Sequence, residues 1–215
     1  LKAENIELEI FIIDDFNTPN RALADKEVDA NFFQHLPFLE AQKADFGYKI
    51  EPLVAVHLEP MVLYSKKHSD IKELKKKAKI AVPSDPSNQA RALALIEQAG
   101  LITLQAKGAK ASVLDIVNNP LELQFIEMDS PLLSRSLEDV DAAAMSTNFA
   151  LLGGLSPQKD ALAIEGAQSR FANLVVIRQG EGQKPELQAL KAALTTDQVR
   201  RFIENKYEGA VVPVF

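Results

Sequence analysis

The stretch Ser84-Asp85-Pro86-Ser87-Asn88-Gln89-Ala90-Arg91-Ala92-Leu93 places an arginine just inside a helix that follows a strand and a turn. Lys79-Ile80-Ala81-Val82 has the run of a short buried strand, Pro83 and Pro86 punctuate the turn, and Ser87 or Asn88 is expected to cap a helix running to Gly100. Arg91 then stands about one turn in. A guanidinium beside unpaired backbone N–H groups is a receptor for a small anion, most simply the carboxylate of an amino acid or organic acid. The same Arg would serve equally in a surface ion pair.

A second cluster lies in Asp29-Ala30-Asn31-Phe32-Phe33-Gln34-His35-Leu36-Pro37-Phe38. Three Phe, two amides and an imidazole gather at the C-terminal end of an expected strand, the end at which open α/β sheets bind ligands. Such residues could wall an aromatic pocket with a few placed hydrogen-bonders, or simply fill a core. His35 and His57 could also act in acid–base chemistry, but no carboxylate stands at metal-ligand spacing from them, and no metal or cofactor is expected. The pairs Asp14-Asp15 and Asp139/Asp141 fit turns and caps. The chain has no G-x-S-x-G elbow, Walker A loop, G-x-G-x-x-G or H-E-x-x-H, so an enzyme is the minor expectation.

The elements that must position these residues alternate. Ile6 to Ile13 begins with period-2 alternation and ends as a continuous apolar run, as a strand entering a covered sheet does. A short helix is expected by Ala24, a strand over 28–33, a helix over 36–46 and a long extended stretch over 50–64. Strand 79–82, helix 87–99, strand 101–104, helix 112–118, strand 122–128, helix 131–137, strand 140–145, helix 147–153 and strand 161–164 follow. Strand 173–178 precedes helices at 185–194 and 196–206. Strands separated by helices imply parallel pairing through right-handed crossovers, hence the α/β class.

Composition narrows the partners. With a formal charge of -6 the chain lacks the basic surface on which non-specific nucleic-acid binding rests. The lysine run from Lys66 to Lys79 carries no aromatic residue and fits a solvated helix face. Without Cys there is no disulfide or thiolate metal site. No segment reaches the ~18 apolar residues of a membrane span, and Leu1 to Asn5 lack the profile of a signal peptide, so any anchor is expected upstream.

Several separated motifs resemble one family. They are Asp29 to His35, Val56-His57-Leu58-Glu59-Pro60-Met61-Val62-Leu63-Tyr64-Ser65, Pro83 to Leu93, Asp139-Val140-Asp141-Ala142-Ala143 and Gly209-Ala210-Val211-Val212-Pro213. In this order they resemble the methionine-binding lipoproteins of bacterial ABC importers. The resemblance implies a two-lobed fold like the type II periplasmic binding proteins, each lobe a mostly parallel sheet flanked by helices, closing on free methionine between the lobes. Lobe one would comprise 1–66 plus 171–215 and lobe two 78–168. By position, Phe16, Phe33, His35 and Phe38 would wall the side-chain pocket with His57 nearby. Arg91, with Asn88 on the same turn, would clamp the α-carboxylate, and Asn173 would hydrogen-bond the amino-acid end. The implied partners are a small amino acid and a membrane permease, the implied location the periplasm or cell envelope, with membrane attachment only through an upstream lipid anchor.

The chain departs from the family pattern in three places. Phe16, Phe32 and Phe38 stand where Tyr is usual. Ser146, in Met145-Ser146-Thr147-Asn148, replaces an Asn that touches ligand, so Asn148 or water is expected to take over that contact, or the ligand differs. The family's first strand and helix are expected to be missing, which would deprive the first lobe of ladder partners and point to a processed product. The alternative function is an enzyme on a similar scaffold, with His35 or His57 as the base.

Overall fold

The structure is a computed structural model and describes residues 6–106, 108, 111–166 and 170–215. Contacts divide the chain into two compact units, Leu1–Leu58 with Arg170–Phe215, and Glu59–Ser169. The first boundary therefore falls at 58/59 rather than 66. Glu59-Pro60 interrupts the expected extended stretch because Pro60 has no N–H for a ladder. The stretch becomes β2 (Ile50–Leu58) in unit one and β3 (Met61–Tyr64) in unit two.

Unit one is built on β1 (Ala30–His35), β2, β10 (Ala172–Arg178) and β11 (Val212–Pro213), in the order β1-β10-β2-β11. All its pairings are antiparallel, so the expectation of a mostly parallel sheet does not hold here. The chain leaves the unit along β2 and returns along β10, and Ala172 lies opposite Leu58. A return beside the exit requires opposite directions. Leu23 of α1 (Thr18–Ala24) and Leu39 of α2 (Leu36–Phe46) pack with Ile50, Leu174 and Val176 in the core. Residues 6–13 join no ladder, contrary to the expected strand: Ile10 and Ile12 are 74% and 86% exposed. Alternation selects a strand only where a neighbour offers its N–H and C=O groups, and no described strand does so. Helices α7 (Pro185–Leu194) and α8 (Asp197–Tyr207) complete the unit.

Unit two holds β4 (Lys79–Pro83), β7 (Gln124–Met128), β8 (Ala142–Ser146) and β9 (Ala161–Ile164) with β3, in the order β7-β4-β8-β3-β9. Here β4 pairs parallel to both β7 and β8, as the crossovers predict, while β3 is antiparallel to its neighbours. Helix α3 (Pro86–Gln98) packs Leu93 and Ile96 on Met61, Leu63, Ile80 and Val82 in the core. A helix is expected over 112–118; the structure has one tight turn and a strand instead. Asp115 accepts the Ser112 N–H and hydroxyl, which closes the turn, and Ile116–Asn118 (β6) pairs with Thr103–Leu104 (β5). The lysine run is likewise no α-helix; it carries one short turn at Ile71–Glu73 and exposed ion pairs from Lys66 to Glu138 and Lys76 to Glu122, which contribute little. The helices α4 (Leu133–Ser136), α5 (Thr147–Leu152) and α6 (Pro157–Asp160) are short.

Candidate functional site

In unit one the candidate residues radiate from β1. Opposite β10, Phe32 faces Val175 and Gln34 faces Leu174, so Phe33 is the extra residue of a β-bulge. Along a regular strand Asn31 and Gln34 would point to opposite faces, and the inserted residue brings them to the same one. There Gln34 Nε2 donates to Asn31 Oδ1 at 3.0 Å, Asn20 Nδ2 donates to Gln34 Oε1 at 2.9 Å, and Asn31 Nδ2 donates to Asn20 Oδ1 at 2.9 Å. All three amides are buried, and Asn31 also donates to the Pro19 carbonyl, so amide side chains bond α1 to β1. Asn20→Ala should strand the partners in a dry environment and cost about 2–3 kcal/mol of stability, measurable by urea denaturation. A loss under about 0.5 kcal/mol would show that water replaces the amide.

The bulge turns Phe33 out of the regular alternation toward Phe16 and Phe38. The ring centroids of Phe16, Phe33 and Phe38 lie 5.7–5.8 Å apart in every pairing, tilted or edge to face. Phe16 sits in a turn held by Asp15, whose carboxylate accepts the N–H groups of Asn17 and Thr18 at 2.7 and 2.8 Å. The Thr18 N–H is the main reason that this carboxyl titrates below the ordinary aspartate range. Phe38 and Phe33 differ in setting: Phe38, on α2, is 6% exposed, whereas Phe33 is only half-buried.

His35 ends β1 and caps α2. Its Nδ1 accepts the Phe38 N–H at 3.2 Å, which in the neutral ring assigns the proton to Nε2 as a donor. Its faces meet Phe171 at 4.9 Å and Phe38 at 6.3 Å, both edge to face. His57, on β2, is opposite Asn173 of β10, and Asn173 Nδ2 lies 3.2 Å from His57 Nε2. The Phe32 ring stands edge-on to His57 at 5.1 Å. Phe16, Phe33, His35 and Phe38 thus form one group in unit one, and His57 and Asn173 are joined to each other.

In unit two the helix cap differs from expectation. Pro86 occupies the first helical turn, so the cap moves back to Asp85, which accepts the Asn88 N–H at 3.0 Å. The Asn88 amide also donates to both Asp85 oxygens at 3.1 Å, and the Ser87 hydroxyl donates to Asp85 Oδ1. The helix N-terminus is therefore covered by the chain's own carboxylate and is no open anion receptor. Arg91 is no surface Arg, being 4% exposed, and its guanidinium is paired. Its Nε lies 3.0 and 3.1 Å from the two Glu165 oxygens, and Nη2 donates to Glu165 Oε2 and, at 2.8 Å, to the Glu59 carbonyl. Ser146 and Asn148 are brought together, the Ser146 hydroxyl donating to Asn148 Oδ1 at 2.5 Å. Ser146 faces Met61 across β3, and Met61 N–H donates to Glu165, so backbone pairing links it to the Arg91 side chain's partner.

Glu165, Phe171 and the Glu59 carbonyl are absent from the sequence-based candidates. Glu165 follows the strand Ala161–Ile164 and precedes Gly166, a context that names no partner. Chemically, the described residues offer aromatic walls, imidazole and amide donors, and a buried guanidinium. Among the described residues no group of three or more His, Cys, Asp or Glu could hold a metal, and no helix is long and apolar enough to cross a membrane.

Comparison with known proteins follows the same outline. The sequence profile of the NlpA lipoprotein family matches residues 1–215. The methionine-binding lipoprotein MetQ of Bacillus subtilis is 39% identical over all of this chain and 80% of its own length, and the D-methionine-binding lipoprotein MetQ of Escherichia coli K12 is 35% identical over 96% and 78%. Among solved structures, a nutrient binding protein from Burkholderia cenocepacia bound to methionine is 40% identical, with a TM-score of 0.96 over 99% of this chain and 90% of that one. A periplasmic substrate-binding protein of an ABC transporter from Coxiella burnetii is 46% identical, with a TM-score of 0.94 over 98% and 89%.

Proposed function

The chain belongs to the NlpA lipoprotein family, and from that membership we propose that it is the solute-binding component of an ABC importer, capturing methionine or a closely related small amino acid for delivery to a membrane permease. The observation that carries the reading is the similarity, over 99% of this chain and 90% of that one, to the Burkholderia protein bound to methionine. The relatives' names, lipoprotein and periplasmic substrate-binding protein, support placing this chain at the cell envelope.

In this reading Phe16, Phe33 and Phe38 take the thioether side chain, since sulfur packs well at aromatic edges at ~0.3–1.5 kcal/mol per contact. His35 stands at the border of that cluster, His57 and Asn173 serve the amino-acid end, and Arg91 meets the α-carboxylate. The Ser146 and Asn148 pair takes the place of the family's ligand-touching Asn, and Asn88 acts through the Asp85 cap rather than on ligand. An enzyme would need a base aimed at a reacting atom. His35 Nδ1 already accepts a backbone N–H and His57 Nε2 lies against Asn173, which favours binding over turnover.

Mass spectrometry of ligand released on denaturing the purified chain, followed by calorimetric titration with methionine, tests the proposal. Methionine should be recovered unchanged and rebind stoichiometrically. Conversion of the ligand, or no heat with any amino acid, would sink it.

A further inference from the structure

We propose that Glu165 is a positioning and specificity residue of the carboxylate receptor: it fixes the Arg91 fork and cancels its charge, so that the site accepts a zwitterionic amino acid and discriminates against the same skeleton bearing a carboxylate alone. The inference rests on the binding function proposed above and concerns a residue that the family resemblance does not assign.

Three observations carry it. First, the pair is shielded, with Arg91 buried and Glu165 only partly exposed, side chains 3% and 15% exposed, so bulk water screens the charges weakly. Second, Glu165 is anchored by backbone. Its own N–H donates to the Met61 carbonyl at 2.9 Å, and its Oε2 accepts the Met61 N–H at 3.1 Å, a reciprocal pair that continues the β3 and β9 ladder by one residue. The carboxylate then grips the Nε edge of Arg91 while the Glu59 carbonyl holds Nη2, so the plane of the guanidinium is set by strand and crossover rather than by rotamer choice. Third, the remaining anion-binding feature of helix α3, its N-terminus, is occupied by Asp85.

The consequence is one of charge balance. A lone buried guanidinium would reward any carboxylate that reached it. Glu165 offsets the guanidinium charge before ligand arrives, so a monoanion meets a carboxylate already in place in a poorly hydrated setting, whereas a zwitterion brings no net charge. Discrimination of this kind comes from what the wrong ligand lacks as much as from what the right one gains.

Calorimetric titrations of the full chain with methionine and with its des-amino analogue, methylthiobutanoate, decide the matter. Wild type should prefer methionine, and Glu165→Gln should narrow the preference by about tenfold or more, chiefly by tightening the des-amino acid. Glu165→Asp keeps the charge at shorter reach and should retain the preference while weakening both ligands. A merely structural role would weaken both ligands equally in Glu165→Gln, and an unmoved ratio overturns the proposal. If Glu165→Gln fails to fold, Glu165→Ala, which also removes the charge, takes its place: a narrowed ratio supports the proposal and an unmoved ratio refutes it. Wild type that ignores methionine removes the functional reading and this one together; wild type that binds methionine with a ratio indifferent to residue 165 removes this one alone.

Discussion

Arg91→Ala should lower methionine affinity tenfold to a hundredfold and, independently of ligand, reduce the stability of the chain by about 2–3 kcal/mol. The affinity figure follows from losing a charge-assisted hydrogen bond of ~1.5–3 kcal/mol at ~1.4 kcal/mol per decade. The stability figure has a separate origin. Removing one member of a buried pair leaves the other unpaired, at a cost of ~3–5 kcal/mol where burial is complete, and the partial exposure of Glu165 lowers it. Arg91→Lys should recover only part of both losses, because an ammonium cannot span both Glu165 oxygens and the Glu59 carbonyl in one plane. Adding Glu165→Gln to Arg91→Ala should restore stability without restoring affinity. Calorimetric titration and urea denaturation on the same preparations separate the two effects. If wild type, Lys and Ala variants bind methionine equally, the carboxylate receptor lies elsewhere.

Local signals account for what the sequence made legible. The α2 boundaries of Leu36–Phe46 follow from a proline in the first turn and Gly47 in the left-handed region just past the end, at φ 71°. The cap of α3 lies two or three residues before the one expected: Ser87 and Asn88 have good capping side chains, yet Pro86 is better placed at the first helical position, which pushes the cap to Asp85. Non-local pairing accounts for the failures. Residues 6–13 have strand alternation and no ladder, and 112–118 have helical spacing but close into a turn and a strand through Asp115 and the β5 partner. The aromatic cluster was legible because Phe33, His35 and Phe38 lie within six consecutive residues. Two features of the site were not. The bulge at Phe33 exists only as a mismatch with β10, and Glu165 is 74 residues from Arg91, with nothing in either segment's composition to announce the other.

Paired truncations should separate pocket from core for the phenylalanines. Phe38→Ala removes a buried ring from α2 that touches Phe16, Phe33 and His35, and should cost about 3–5 kcal/mol of stability, as large core truncations do. Phe33→Ala removes a half-buried ring whose losses are two aromatic contacts of ~0.5–1.5 kcal/mol each, so stability should fall by about 1–3 kcal/mol. A ring turned out of the strand alternation offers an edge to a thioether and covers apolar surface in the bound state, and losing both should weaken methionine by about tenfold or more. Norleucine, which replaces sulfur by methylene, should lose less than methionine on the same truncation, since only the sulfur–aromatic part is specific to the thioether. Urea denaturation fixes the first comparison and calorimetry the second. If Phe33→Ala destabilises as much as Phe38→Ala while methionine binding to the folded fraction is unchanged, the ring belongs to the core, and the bulge serves only to bring Asn31 and Gln34 onto one face.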